Sequence, residues 1–425
     1  MDMNKLKWGI LGPGRIAIQF AKGLKESETG ELFAVGSRSL ERAEAFIKEQ
    51  GGERAYGSYP ELLQDRDVEA VYIATPHPQH VEWAIRAAQA GKHILCEKPI
   101  GINLGETDAI FEAAEVHGVF AMEAFMYRCY PQTALIYQWI REGKIGEVQL
   151  IEASFGFRTN FNAHSRLFAN DLAGGGILDV GCYPVSASRM IAGAAADKPF
   201  LDPVEVKGSA LLGETGVDEG ATLTLKFPNG ILAQCSTGVR LRCFNQIRVT
   251  GTEGVLLVEK PWFGGGEIRV ESMEGETVES QKDLPTGYRF EIDAFGTKVA
   301  EYRGEDLQTY PELPQTWMSP EDTFGNMKTL DLWRKSIDLV YEMEEPGGVA
   351  LAPHPDRKTE GIGEGPIERI KIEGFDKPLS SVALGIDNQI HLPFLRTMVD
   401  AFVDQGGNVL DTAFIYGGGA LETLL

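Results

Sequence analysis

The stretch WGILGPGRIA at residues 8–17 narrows the architectures open to this chain more than any other. An apolar run typical of a buried strand is interrupted by two glycines one residue apart, and small and apolar residues at helical spacing follow. This order matches most of the G-x-G-x-x-G/A fingerprint, in which Gly12 permits a tight turn and Gly14 lets the backbone approach a pyrophosphate at the helix N-terminus. An ordinary strand-to-helix turn is the alternative. We assign the cofactor contacts of this turn to Gly12, Gly14, Arg15 and Ile16, with Ala17 keeping the helix close to the strand.

The same rhythm of strands and helices continues to about residue 125 and favours a dinucleotide-binding fold over an isolated turn. Short apolar runs alternate with segments whose apolar residues recur at helical spacing. The predicted strands are LKWGIL, ELFAVGS, VEAVYIAT, KHILCE and GVFAMEA. This alternation is typical of a parallel sheet with helices on both faces. We therefore predict an α/β Rossmann domain over residues 1–125.

Residues 126–345 predict a second domain of a different class. Six strand-like runs, from EVQLIEASFGF to GVLLVE, follow one another without intervening helices, which is typical of antiparallel pairing. The tetrapeptide FPNG at residues 227–230 is a hairpin signal between two of these runs, and helical patterns return after them. We predict an α+β domain with a mostly antiparallel open sheet. A linker rich in Gly and Pro at 346–367 and a separate tail at 368–425 are expected to follow.

The composition excludes several classes of function. The 425-residue chain carries a formal net charge of -22, which repels phosphate backbones, so we expect no nucleic-acid partner. The five cysteines form no C-x-x-C pair and the closest histidines are those of HPQH at 77–80, so we expect neither a disulfide framework nor a metal site. The sequence holds no uninterrupted apolar segment of 18 residues and begins with a strand-like run. We expect no membrane span, no leader peptide and a cytoplasmic location.

The end of the second predicted strand indicates which dinucleotide binds. An NAD site places an acidic residue there to bind the ribose 2′-hydroxyl, whereas this strand ends in AVGSRSLERA, with no acid before Glu41. Ser37 can donate a hydrogen bond to a 2′-phosphate, and the guanidinium of Arg38 can cover that phosphate. The alternative makes Ser37 a helix N-cap and Arg38 a solvated surface residue. The expected cofactor is NADP, with NAD as the second candidate.

Two further segments carry candidate catalytic residues. Lys98 of CEKPI follows the fourth predicted strand and faces the same crevice as the glycine turn, because open parallel sheets bind ligands beyond the carboxyl ends of their strands. The stretch GGGILDVGCYPV at 174–185 places Asp179 and Tyr183 four residues apart, on one face if a helix begins near Leu178. A nearby ammonium favours the tyrosine phenolate, the base that oxidation of a hydroxyl requires. The alternatives are a solvated surface lysine and a core tyrosine capped by Asp179.

With these segments in this order, residues 1 to about 345 resemble the Gfo/Idh/MocA oxidoreductases, and within them the branch of dihydrodiol dehydrogenases and NADP-dependent D-xylose dehydrogenases. The matching stretches are GILGPGRIA, VGSRSLERA, ATPHPQH, CEKPI, MEAFMYRCYPQ and GGGILDVGCYPV, with GTEGV and PW later in the chain. The resemblance implies that Tyr183 is the acid/base, that Lys98 assists it and also contacts the cofactor, and that Asp179 contacts the substrate or orients the pair. The remaining site residues that we assign are Thr75, Pro76, His80, Glu97 and Pro99 at the cofactor, with His80 capping the crevice, and Arg166 at the substrate.

The resemblance therefore implies an enzyme that transfers a hydride between NADP and a hydroxyl group of a sugar, such as the aldose D-xylose, or of a trans-dihydrodiol. Tyr183 exchanges the hydroxyl proton, and Lys98 stabilises the developing alkoxide. A homodimer formed through the second domain's sheet is also implied. Two other functions stay open. One is an NAD-dependent glycosidase of the same family, against which the cofactor and tyrosine assignments weigh, and the other is a non-catalytic NADP(H) sensor, which needs no catalytic residues.

The tail carries a second resemblance, in GFDKPLSSVALGIDNQ and FVDQGGNVLDTAFIYGGG. These stretches are similar to the start of an aldo-keto reductase, a TIM-barrel family, and Asp411 and Tyr416 match its first two catalytic positions. A closed barrel needs about 250 residues, so this segment can form only an incomplete TIM-barrel fragment. We assign Asp411 and Tyr416 no role in this chain. We expect the natural polypeptide to be a longer fusion or the product of a split gene.

Overall fold

The computed structural model describes residues 5–272, 275–280 and 287–344, and within the tail residues 369–371, 379–381, 383–385, 402 and 409–411. The chain divides into two compact units, Met1–Leu339 and Val340–Leu425, each with its own sheets. The predicted linker at 346–367 lies outside the described residues. The predicted division of the larger unit at residue 125 stays a prediction.

The first sheet of the larger unit has six strands. They are β1 (Leu6–Leu11), β2 (Gly30–Gly36), β3 (Arg54–Tyr56), β4 (Ala70–Ile73), β5 (His93–Glu97) and β6 (Ala121–Ala124). All six are parallel and lie in the order β3-β2-β1-β4-β5-β6. The accompanying helices are α1 (Arg15–Glu26), α2 (Leu40–Gln50), α3 (Tyr59–Leu63), α4 (His80–Gln89) and α5 (Leu104–Val116). Strands β4 and β5 are buried along their whole length, as in a parallel sheet covered on both faces.

This arrangement confirms the predicted Rossmann domain, but the sequence pattern predicted five strands and missed β3. That strand has only three residues, none of them buried, so it has no apolar run that could reveal it. Helix starts follow ordinary capping, since the side chains of Ser39 and Asn103 accept the N–H groups of Arg42 and Glu106 at the start of α2 and α5.

The second sheet of the larger unit has eight strands. They are β7 (Val148–Gly156), β8 (Glu205–Leu212), β9 (Asp218–Lys226), β10 (Leu232–Gly238), β11 (Gln246–Gly251), β12 (Gly254–Glu259), β13 (Glu267–Ser272) and β14 (Gly275–Ser280). Their order is β14-β13-β12-β11-β7-β10-β9-β8. All neighbours are antiparallel except β7 and β10, which confirms a mostly antiparallel sheet. The helices of this part are α6 (Pro131–Arg141), α7 (Cys182–Ala194), α8 (Gly287–Tyr302) and α9 (Pro320–Lys335).

Some details of the second sheet differ from the sequence pattern. The predicted hairpin is present, because the Phe227 N–H donates to the Ile231 carbonyl between β9 and β10. Strands β13 and β14 were missed, since their runs EIRVES and GETVES contain only two and one large apolar residues. The longest helices, α8 and α9, have 16 residues each, and no helix in the described parts of the chain could cross a bilayer.

The described part of the smaller unit consists mainly of four strands of two residues each. They are β15 (Arg369–Ile370), β16 (Leu379–Ser380), β17 (Leu384–Gly385) and β18 (Leu410–Asp411). Strands β15 and β16 are antiparallel, whereas β17 and β18 are parallel. No barrel is present among these described tail residues, so the expected TIM-barrel fragment is not supported. Tyr416 lies outside them.

Candidate active site

The glycine turn between β1 and α1 forms an open cradle. Gly12 adopts φ +92, and a Cβ atom there would lie 3.1 Å from the Ala74 carbonyl oxygen, so a side chain would strain the backbone and crowd the next strand. A Cβ built on Gly14 would meet no described atom within 4 Å. Arg15 and Ile16 are exposed on the first turn of α1. The turn therefore leaves space beside the helix N-terminus, where a pyrophosphate can bind.

Thr75 lines the same cradle from the end of β4. Its Cγ2 atom would lie 3.6 Å from a Cβ atom on Gly12. The Oγ1 atom of Thr75 is buried and has no hydrogen-bond partner among the described residues. A buried hydroxyl without a partner is unfavourable unless a ligand completes it. The open cradle and this hydroxyl together fit a bound dinucleotide.

His80 does not cap the crevice as the resemblance implied. The imidazole is completely buried at the start of α4, so it presents no surface to a ligand. Its two ring nitrogens lie 2.9 Å from the carbonyl oxygens of Thr75 and Pro99. Burial lowers the pKa of His80 to about 4, although its two backbone hydrogen bonds act in the opposite direction. His80 therefore ties the loops after β4 and β5 together and positions the residues that line the crevice.

Ser37 and Arg38 follow β2 and differ in exposure. Ser37 is buried, and its Oγ atom accepts the Ser39 N–H at 3.3 Å. Ser39, and not Ser37, is the N-cap of α2, so the capping role that the alternative gave to Ser37 is filled by another residue. Arg38 is exposed and forms no ion pair with any residue in the described ranges. Its guanidinium is therefore available to an anionic group beside the Ser37 loop.

Lys98, Asp179 and Arg166 meet in one charged cluster beyond the end of β5. Asp179 lies in a π-helical turn, Ile177–Gly181, that runs directly into α7. Its Oδ1 atom accepts a hydrogen bond from Arg166 Nη1 at 2.8 Å and lies 3.7 Å from Lys98 Nζ. The Lys98 ammonium also donates to the backbone carbonyl of Asp179. Burial by itself raises the Asp179 pKa, but the charges of Lys98 and Arg166 outweigh it and lower the pKa below its ordinary value.

Tyr183 joins this cluster through its ring. The Lys98 Nζ atom lies 5.4 Å from the Tyr183 ring centroid, so the structure brings the three predicted catalytic residues together. Four aromatic rings surround the buried tyrosine, with centroids between 5.1 and 5.7 Å from its own. These rings belong to Phe125, Tyr127, Phe155 and Trp262. No described residue lies within hydrogen-bond distance of the Tyr183 hydroxyl, so the proposed capping by Asp179 is absent.

The surroundings of Tyr183 affect the pKa of its hydroxyl. Burial raises its pKa well above 10, and the nearby carboxylate of Glu97 adds to the effect. The Lys98 ammonium faces the ring and is engaged by Asp179. The raised pKa favours the phenol form, in which the Tyr183 hydroxyl can donate a proton.

Glu97 is the last residue of β5, directly before Lys98, and its side chain is buried. Its side chain accepts hydrogen bonds from the Tyr72 hydroxyl and, at 3.2 Å, from the Lys98 N–H. Burial raises its pKa above the ordinary value. Tyr72 was not predicted from the sequence, and its hydroxyl is the only polar side-chain group of the buried strand β4. Pro76 and Pro99 lie on the loops that follow β4 and β5, beside Thr75 and Lys98.

The predicted absence of a metal site concerns His77 and His80. Their ring centroids are 5.8 Å apart, and the His77 Nδ1 atom lies 3.4 Å from the Ala173 carbonyl. Both nitrogens of His80 face backbone oxygens, so the pair does not form a shared ligand set. Across the described residues no group of three or more His, Cys, Asp or Glu side chains could hold a metal ion.

Comparison with known families matches both parts of the larger unit. Residues 6–125 match the sequence profile of the Gfo/Idh/MocA oxidoreductase family with an NAD-binding Rossmann fold. Residues 133–257 match the profile of the GFO/IDH/MocA C-terminal domain.

Individual relatives point to dehydrogenases. The chain is 36% identical over 259 residues to the trans-1,2-dihydrobenzene-1,2-diol dehydrogenase of Mus musculus, covering 60% of this chain and 75% of that one. It is 32% identical over 346 residues to D-xylose 1-dehydrogenase (NADP(+)) 2 of Haloferax volcanii, covering 80% and 98%. Among solved structures, a 3-ketoreductase from Actinomadura kijaniata in complex with NADP and TDP-benzene superposes with a TM-score of 0.67 at 28% identity. That match covers 79% of this chain and 98% of the ketoreductase.

Proposed function

Because this chain belongs to the Gfo/Idh/MocA oxidoreductase family, we propose that it is an NADP-dependent dehydrogenase of a sugar or a trans-dihydrodiol. It is an enzyme that acts on CH–OH groups, as its relatives do. One observation carries the proposal. Lys98, Asp179 and Tyr183, which lie far apart in sequence, converge beyond the carboxyl end of β5, on the side of the sheet where the glycine cradle opens.

The residues of the cradle hold the cofactor in this proposal. Gly12 and Gly14 admit the pyrophosphate, Thr75 offers its unpartnered hydroxyl, and Arg38 covers the 2′-phosphate. The bound cofactor supplies or accepts the hydride. Glu97, with Pro76 and Pro99, borders the space left for the nicotinamide.

The catalytic cluster moves the proton. Tyr183 keeps its proton because burial raises its pKa, so in the reductive direction its hydroxyl protonates the carbonyl oxygen of the substrate. Lys98 lies beside that hydroxyl's ring and stabilises the negative charge that develops on the oxygen. Asp179 fixes the Lys98 ammonium by two contacts, from its carboxylate and its carbonyl. The half-exposed Arg166 is placed to contact a substrate hydroxyl. In the oxidative direction the same groups act in reverse.

A substrate panel tests the proposed function. Purified protein is supplied with NADP+ and aldoses or trans-dihydrodiols, or with NADPH and the corresponding lactones or ketones, and NADPH absorbance is followed. We expect turnover within one of the two substrate classes. Binding of NADPH without turnover of any compound would favour the sensor. Cleavage of a glycoside without net change in the cofactor would favour the glycosidase.

The cofactor assignment predicts a selective effect at Arg38. Replacing Arg38 with alanine is expected to raise the KM for NADP(H) about tenfold or more and to leave the KM for NAD(H) unchanged. The reason is that a hydrogen bond to a charged group contributes about 1.5–3 kcal/mol and only NADP carries the 2′-phosphate. Steady-state kinetics with both cofactors measure the effect. The control is Lys48→Ala, an exposed change in the last turn of α2, the helix that follows the Arg38 loop. An equal loss for NADP(H) and NAD(H) would show that Arg38 does not bind the 2′-phosphate.

Three broader assignments are part of the same proposal. The outer face of the second sheet, where Lys207, Thr224 and Gln234 lie side by side and exposed, is the surface through which we propose a homodimer. The second assignment is a cytoplasmic location. We also propose that the tail, whose sequence resembles the start of an aldo-keto reductase, takes no part in the reaction.

A further inference from the structure

The segment that carries Asp179 and Tyr183 begins in very close contact with the second sheet. Three glycines, residues 174–176, precede the π-helical turn that carries Asp179. A Cβ atom on Gly175 would lie 2.1 Å from Asp218 Oδ1, and one on Gly176 would lie 2.8 Å from the Gly238 Cα atom. Gly175 also adopts φ +107, a conformation that side chains disfavour. The segment therefore sits directly on the strands beneath it.

Two buried polar side chains of that sheet hold the segment. Asp218, the first residue of β9, accepts the Ile177 N–H on its Oδ2 atom at 2.8 Å. Thr237, near the end of β10, donates its hydroxyl to the Gly176 carbonyl at 3.1 Å. Both side chains are completely buried. These two hydrogen bonds hold the carbonyl of Gly176 and the N–H of Ile177, the two backbone groups at the start of the π-helical turn.

Asp218 is a fully buried carboxyl group beside the first residues of the π-helical turn. It forms no ion pair with any residue in the described ranges, although it is fully buried, and burial raises its pKa to about 7. The first N–H groups of a helix lack internal partners, and a carboxylate at that end is favoured by the helix dipole. Asp218, which belongs to strand β9, thus caps the start of the π-helical turn.

From these contacts we infer that Asp218 and Thr237 are positioning residues for the catalytic cluster. They fix the height and rotation of the turn, so that the Asp179 carboxylate and the Tyr183 ring both reach Lys98. Among the described residues, no hydrogen bond or ion pair joins either side chain to Lys98, Asp179 or Tyr183. The inference rests on the proposed function, because a misplaced acid/base lowers turnover steeply, about 100-fold for a displacement of about 1 Å.

Paired variants test this inference. Thr237→Val keeps the shape and loses the donor, whereas Thr237→Ser keeps the donor. We expect Thr237→Val and Asp218→Asn to lower kcat about 10- to 100-fold, with the KM for NADPH changed less than about twofold. Thr237→Ser should restore most of the kcat. Asp293→Asn is the matched control, because the buried Asp293 carboxylate also accepts backbone N–H groups, from Glu28 and Thr29, at the opposite end of the first sheet. It should lower the thermal midpoint without changing kcat.

A second readout separates this inference from the proposed function. Hydrogen–deuterium exchange of peptides spanning 176–183 should be about tenfold faster in Thr237→Val and Asp218→Asn than in the wild type, and unchanged in Asp293→Asn. If the wild type turns over no substrate, the proposed function fails and the exchange rates still decide whether the segment is held by these residues. Unchanged exchange, or a kcat that Thr237→Val leaves intact in an active wild type, overturns the inference.

Discussion

Replacement of Tyr183 by phenylalanine is expected to lower kcat by about 10²–10⁴-fold, the usual contribution of a positioned acid/base. The substitution removes the hydroxyl that no described residue engages and keeps the ring among its four aromatic neighbours, so the fold and the cradle are preserved. Affinity for NADPH should change by less than about twofold. Steady-state turnover on the substrate found in the panel, and NADPH fluorescence titration, measure the two quantities.

Tyr127→Phe provides the matched control for this prediction. Tyr127 belongs to the same aromatic cluster, with its ring centroid 5.4 Å from that of Tyr183. Its hydroxyl donates to Ser186 Oγ at 2.8 Å, inside the protein, and is not available to a substrate. We expect kcat to stay within about threefold of the wild type. A loss as large as that of Tyr183→Phe would show that disturbed packing, and not the missing acid/base, explains both results.

The raised pKa of Tyr183 predicts opposite pH dependences for the two directions. Oxidation needs the phenolate as a base, so its rate should rise about tenfold per pH unit from pH 7 towards 10, because the pKa lies above that range. Reduction needs the phenol as an acid, which stays protonated over the same range, so its rate should be flat. In Tyr183→Phe the rise in the oxidative direction should disappear. A rise that levels off near pH 7 would mean that the phenolate is stabilised, as the sequence spacing first predicted.

Substitution of Asp322 by asparagine is expected to lower the free energy of unfolding by about 3–5 kcal/mol. Asp322 lies in α9 and is completely enclosed, where its two carboxylate oxygens bind Arg128 Nη2 at 2.7 Å and Arg189 Nη1. Both guanidiniums are buried as well. Removing the carboxylate charge leaves Arg128 without an acidic partner in a region from which water is excluded, and that desolvation is the source of the loss.

Urea unfolding followed by tryptophan fluorescence measures this loss, with Asp197→Asn as the control. Asp197 also pairs with an arginine, Arg141, but both side chains are exposed, and exposed ion pairs contribute little to stability. We expect no measurable shift of the urea midpoint in that variant. Equal midpoints for Asp322→Asn and the wild type would show that the buried triad is relaxed or hydrated in solution.

Prediction from the sequence succeeded where the signal is local. The glycine turn, the alternation of strands and helices and the FPNG hairpin are set by residues within a few positions of each other, and the structure has all three. It failed where the signal is weak or absent. Strand β3 has no apolar run, and Asp218 looks like any aspartate at the start of a strand, so nothing in the sequence marked its contact with Ile177.

The amino-acid sequence by itself determined the class of fold, the glycine cradle and the identity of Lys98, Asp179 and Tyr183 as candidates, because motifs and periodicity report interactions between near neighbours. Only the tertiary structure decided their environment. Lys98 and Asp179 are 81 positions apart in the sequence. Two of the rings that bury Tyr183, those of Phe125 and Trp262, lie still further apart from each other. Burial and charge depend on such distant residues, which is why the pKa of Tyr183 is raised and His80 joins two loops instead of capping the crevice.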